Sequence, residues 1–158
     1  MPLSSVVIDE RILQRGSEAQ HIEWDANVRQ LLSNARGSVG PAGVLEISMT
    51  EQRFVLDFLA DDRHELGTVA IPHELLSEHI TEYVDTVRQI ASSESVNRME
   101  ALDMAKKVTH DRAGRLLKRE LRGFGFDLET CRRLFTLLLS LRIDTTRLLG
   151  IHGHRTIR

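Results

Sequence analysis

The chain has 158 residues, of which 41% are hydrophobic and 4% aromatic, and a single cysteine, Cys131. That length favours one domain with an aliphatic core, and one thiol excludes an internal disulfide and a four-thiolate zinc site. The net charge of −2 hides an asymmetry: residues 1–97 carry 7 Lys and Arg against 16 Asp and Glu, and residues 98–158 carry 14 against 7.

Ser5 to Asp9 is a short β-branched run that predicts a strand. From Ser17, a plausible N-cap, the pattern turns helical, with Trp24, Val28, Leu31, Leu32 and Ala35 on one stripe. The run Gly37 to Gly43 lacks the Lys and Ser/Thr of a phosphate loop and reads as a linker. Period-two alternation then marks three strands, around Leu45, Ile47 and Met49, around Phe54, Leu56 and Phe58, and over Leu66 to Ile71, which predicts an antiparallel meander with one covered face. Pro72 closes the sheet region. Leu76, Ile80, Tyr83, Val87 and Ile90 follow as a helical stripe.

A long helix is expected from Val96 to Arg122, broken by Gly123 and Gly125. Asp127 is placed to cap a last helix, Leu128 to Ile143, that is apolar on most sides. Such a helix is either central to the core or shared between two subunits, so a homodimer through the 128–143 helix is one expectation. The predicted fold class is α+β: a small, mainly antiparallel β-meander sheet with one early helix and three C-terminal helices packed on one face. Residues 1–149 form the single domain, and residues 150–158 a flexible tail.

Met1 to Gln14 lacks the basic start and apolar core of a signal peptide. The longest apolar run, Leu134 to Leu141, is too short to span a bilayer. A soluble, cytoplasmic protein with no membrane partner is therefore expected, the lone thiol fitting a reducing compartment.

His73 and His79 stand six residues apart, about 240° around a helix, which fails the one-turn spacing of a zinc-binding pair. Both read as solvated surface. His152 and His154 lack a third ligand, and Cys131 among Leu134 and Phe135 reads as a core thiol, so no cofactor and no metal are expected. On the long helix Asp103, Lys107 and His110 share an arc with Glu100 at its margin, bordering the apolar side. A carboxylate and an imidazole so placed can share a ligand or shift one another's protonation. The bland alternative is a set of helix-face ion pairs. Lys106, Lys107, Arg112, Arg115, Lys118, Arg119 and Arg122 wrap the same helix, and Arg132 and Arg133 follow on the next. Few aromatics accompany them, so nucleic acid is disfavoured as a partner, and the basic half is expected to dock on the acidic half.

Two runs, Met99-Glu-Ala-Leu-Asp-Met-Ala-Lys-Lys-Val-Thr-His-Asp111 and Asp127-Leu-Glu-Thr-Cys-Arg-Arg-Leu-Phe-Thr-Leu-Leu138, resemble uncharacterised protein family 0262, a set of short alphaproteobacterial-type proteins. The resemblance implies a class and no mechanism, cofactor or partner. It points to Glu100, Asp103, His110, Arg132 and Arg133 as positions matching the family pattern. Departures fall at Lys106-Lys107, where the family has an Arg pair, at Asp111 for Asn, and at Ala113 for Gly. Two functional readings follow. The first is a non-catalytic binding or regulatory module, with Arg132 and Arg133 as candidate ligand-binding residues. The second is a small hydrolase-like enzyme dependent on a metal or phosphate ligand, with His110 and Asp103 as candidate catalytic residues and Glu100 and Lys107 flanking them.

Overall fold

The computed structural model describes residues 3–35, 43–93 and 95–148. Four strands, β1 (Ser5–Ile8), β2 (Val44–Met49), β3 (Arg53–Leu59) and β4 (Glu65–Pro72), lie in the order β1-β2-β3-β4. The last three form the expected antiparallel meander, and β1 pairs with β2 in parallel. Parallel pairing needs a crossover connection, which here runs through helix. That crossover holds two helices where one was expected: a short α1 (Glu10–Arg15), then α2 (Glu18–Asn34). Ser17 caps α2 in a reciprocal box, its Oγ accepting from the Gln20 amide while the Gln20 side chain accepts from the Ser17 amide. Gly16 leaves room for the Trp24 indole, which a Cβ would meet at 2.5 Å.

Helices α3 (His73–Ser92), α4 (Val96–Glu120) and α5 (Leu128–Arg142) make up the C-terminal half. Asp127 caps α5 as the sequence indicates, its carboxylate accepting from the Thr130 amide at 2.8 Å. That bond and its neighbour hold the Asp127 carboxyl below the ordinary carboxylate value. Alternation along β3 buries Phe54, Leu56 and Phe58 on one face, where they join Leu45, Ile47 and Ile71 in a core shared with Trp24, Leu31, Leu117 and α5. On α5 the residues Cys131, Leu134, Phe135, Leu137, Leu138, Leu139 and Leu141 are all buried within the protomer. Burial pushes the Cys131 thiol up to about 12, so it is a neutral core group.

Close approach of α4 and α5 depends on Gly114, where a Cβ would stand 2.8 Å from Arg132 Cγ and 3.3 Å from the Arg132 amide nitrogen. Beyond α4 a 3-10 turn (Arg122–Phe124) drives Phe124 back onto the sheet, where it stacks on Phe58 with ring centroids 3.9 Å apart. Gly67 makes that seat, since a Cβ there would lie 3.2 Å from Phe124. Gly125 follows at φ 70°, a left-handed conformation that favours glycine.

One expectation is corrected. His73 and His79 are buried rather than solvated, because α3 turns the faces carrying them inward. The His73 ring N–H donates to the Thr50 carbonyl at 2.8 Å and packs edge-on against Phe54, tying the start of α3 to the β2–β3 turn. The two oppositely charged halves meet chiefly through apolar residues. Among the described residues only Arg112 forms an ion pair between them, with Glu78 at 3.8 Å and Glu82 at 3.2 Å. Among the described residues no helix is long and apolar enough to cross a membrane. The expected tail, residues 150–158, and most of the Gly37 to Gly43 linker lie outside the described residues.

Candidate functional site

The arc predicted on α4 does not gather into one centre. Glu100, Asp103 and Lys107 are exposed, whereas His110 is half-buried. Its ring sits edge-on between Tyr83 of α3 and Phe135 of α5, with centroids 5.4 and 5.3 Å away. Nδ1–H donates to the Lys106 carbonyl at 3.0 Å. Among the described residues no hydrogen bond or ion pair joins Asp103 to His110. Burial lowers the His110 pKa from its ordinary value, the bond to Lys106 opposes this, and the positive charges of Lys106, Arg132 and Arg133 lower it further. The environment therefore holds a neutral imidazole and disfavours an added cation.

Arg132 and Arg133 are engaged inside the protein. Arg132 Nε lies 3.2 Å from the Asp111 carboxylate and its Nη1 3.3 Å from Glu129. Arg133 pairs with Glu129 at 3.3 Å and donates to the Gln30 side chain at 2.8 Å, which ties α5 to α2. Among the described residues no three His, Cys, Asp or Glu side chains are grouped so as to hold a metal ion.

The chemistry gathers instead where α3 meets the second half of α4. A groove of about 640 Å³ is lined by His79, Arg112, Arg115, Leu116, Lys118, Arg119 and Arg122. Spacings of three and four residues bring Arg112, Arg115, Leu116 and Arg119 to one side of α4. The 3-10 turn, anchored by Phe124, sets Arg122 at the end of the row. Arg112 is neutralised by Glu78 and Glu82. Among the described residues Arg115, Lys118, Arg119 and Arg122 make no ion pair within 4.0 Å, so four positive charges share one concave surface.

His79 is the groove's one contribution from α3, and it is only 8% exposed. Its Nδ1 is buried without a hydrogen-bond partner, unlike the Nδ1 of His110. Sequence reasoning named the five basic residues without assigning them a ligand, and missed Leu116 and His79 as parts of the groove. The stripe through Arg112, Arg115, Leu116 and Arg119 was a readable signal. The arrival of His79 from another helix was not.

The pattern of the uncharacterised protein family UPF0262 matches residues 2–144. A UPF0262 protein of Hyphomonas neptunium is 30% identical over 156 residues, covering 94% of this chain and 96% of that protein. One of Phenylobacterium zucineum is 31% identical over 148 residues, covering 88% and 91%, and one of Erythrobacter litoralis is 33% identical over 115 residues, covering 70% and 71%. No solved structure matches the chain. The match extends from β1 through α5 and covers the α3–α4 groove whole, and the chain belongs to the uncharacterised protein family UPF0262.

Proposed function

We propose that the protein is a non-catalytic binding module of the cytoplasm, and that the cationic groove between α3 and α4 is its ligand surface. The observation that carries this reading is the convergence of Arg115, Lys118, Arg119 and Arg122 on one concavity, with no carboxylate of the described residues within ion-pairing distance of any of them. Like charges held together repel, and the arrangement makes physical sense when an anion completes it. Among the described residues no carboxylate, serine or cysteine lines the groove and no cluster of three metal-ligand side chains is present, which favours binding over chemistry.

His110 takes a structural part in this reading. Its ring packs between Tyr83 of α3 and Phe135 of α5 and so bridges the two helices that flank α4. Arg132 and Arg133, already ion-paired, hold α5 against α4 and α2.

The reading is tested by thermal shift with inorganic pyrophosphate, potassium chloride being adjusted to keep ionic strength fixed. Pyrophosphate should raise the melting temperature of the wild-type chain, and the rise should vanish in Arg115→Gln/Arg119→Gln. An equal rise in that variant, or none in the wild type, would defeat the proposal.

A further inference from the structure

We infer that the groove takes a small ligand with two linked parts, an oligophosphate chain and a flat, largely apolar ring system, of the chemical class of the nucleoside di- and triphosphates. This rests on the anion-binding reading of the groove and assigns its ligand class.

Charge and reach set the first part. Arg115 and Arg119 are one turn apart, about 6 Å along the α4 axis. Lys118 flanks them, and Arg122 extends the row past the helix end. A single phosphate can satisfy two neighbouring guanidinium groups by bidentate hydrogen bonding and leaves the others uncompensated. A chain of two or three phosphates meets the whole row and matches its charge.

The rest of the lining sets the second part. Leu116 lies among the basic residues, and the methylene stems of Arg112 and Arg119 give apolar surface beside it. A volume of about 640 Å³ falls in the range of small-molecule sites and exceeds what a phosphate chain alone would fill. His79 supplies the polar contact that such a body needs. Its Nδ1 is sealed from water with no acceptor to receive a proton. A buried N–H without a partner is costly, so the ring keeps its proton on Nε2. Among the described residues Nε2 makes no hydrogen bond, which leaves it as a donor for a ring nitrogen or carbonyl of a bound ligand.

A long nucleic-acid strand suits the site less well. Phe124 is turned away to stack on Phe58, and Phe126 is buried, so neither gives bases a stacking platform in the groove. At the Arg112 end the exposed Glu78 carboxylate opposes extension of a polyanion beyond the row.

The experiment is isothermal titration of the full chain with tripolyphosphate, with ATP and GTP, and with a single-stranded RNA 12-mer, at fixed ionic strength and without divalent metal. At least one nucleotide should bind about tenfold tighter than tripolyphosphate, the margin expected of one buried hydrogen bond with apolar contact. His79→Leu should erase that margin while leaving tripolyphosphate affinity unchanged. Because His79 is buried, Leu116→Asn at the half-buried wall, which removes apolar surface and adds no charge, serves as a second variant with the same expected effect. Tripolyphosphate binding as tightly as both nucleotides would overturn the ligand class and leave the anion-binding groove standing. RNA binding tighter than either nucleotide would overturn it in favour of a nucleic-acid surface. Failure of every anion to bind would remove the groove reading and this inference together.

Discussion

At the scale of single residues, the half-buried His110 of α4 and the buried His79 of α3 differ in what their nitrogens meet. His110 has its Nδ1–H satisfied by the Lys106 carbonyl and its faces covered by Tyr83 and Phe135. Charged neighbours come from its own helix as Lys106 and from α5 as Arg132 and Arg133, all positive. With its pKa held below the ordinary 6.5, the folded chain refuses a proton that the unfolded chain accepts. Stability from this source is complete above about pH 6.5 and declines as pH falls below it. His110→Phe keeps an aromatic ring between Tyr83 and Phe135 but cannot titrate. Its melting temperature should therefore fall less steeply than that of the wild type from about pH 6.5 downward. Parallel curves for the two chains would show that this imidazole contributes nothing to the acid sensitivity of the fold.

At the scale of elements, α5 organises the molecule, since it packs against α2 on one side and α4 on the other. The Trp24 indole of α2 donates to the Ser140 carbonyl of α5 at 2.9 Å, and Thr145 just beyond α5 bonds Glu23. Leu138 is fully buried, and Leu138→Ala should lower stability by about 2–5 kcal/mol through lost transfer energy and a residual cavity. Because the neighbours that bury it belong to the same protomer, the loss should be independent of protein concentration in denaturant titrations. A loss that shrinks as concentration rises would instead indicate a second subunit on α5. The helices were legible because their apolar residues recur at three and four, and the meander because Phe54, Leu56 and Phe58 alternate. The short α1 was missed because six residues, with Ile12 and Leu13 as its only apolar members, carry no full period. Burial of His73 and His79 was missed for another reason: each depends on a neighbour from elsewhere in the chain, Phe54 of β3 for His73 and the α4 stripe for His79. The candidate site was legible only in part for the same cause. One helix wheel shows the basic row, but not the wall that makes it a groove.

At the scale of the whole molecule, the charge asymmetry is left largely uncompensated. Apolar packing joins the two halves, Arg112 makes the only ion pairs between them among the described residues, with Glu78 and Glu82, and the remaining groove cations face outward. The chain is thus a strongly polarised body with a net charge of only −2 and a pI of about 6.4. On net charge alone it should pass through a cation exchanger at pH 7.5. A patch of four clustered cations focuses the local field, however, and at low ionic strength, where screening lengths reach about 30 Å, such a patch binds a sulfonated matrix despite the net charge. Retention at low salt is therefore expected, with release well below physiological ionic strength. Arg115→Gln/Arg119→Gln should elute with the unretained fraction. Arg133→Gln removes one charge that is already paired with Glu129, and should elute like the wild type. If Arg133→Gln shifted elution half as far as the double variant, in proportion to the charge removed, retention would follow total charge, and the groove would lose its standing as a focused patch.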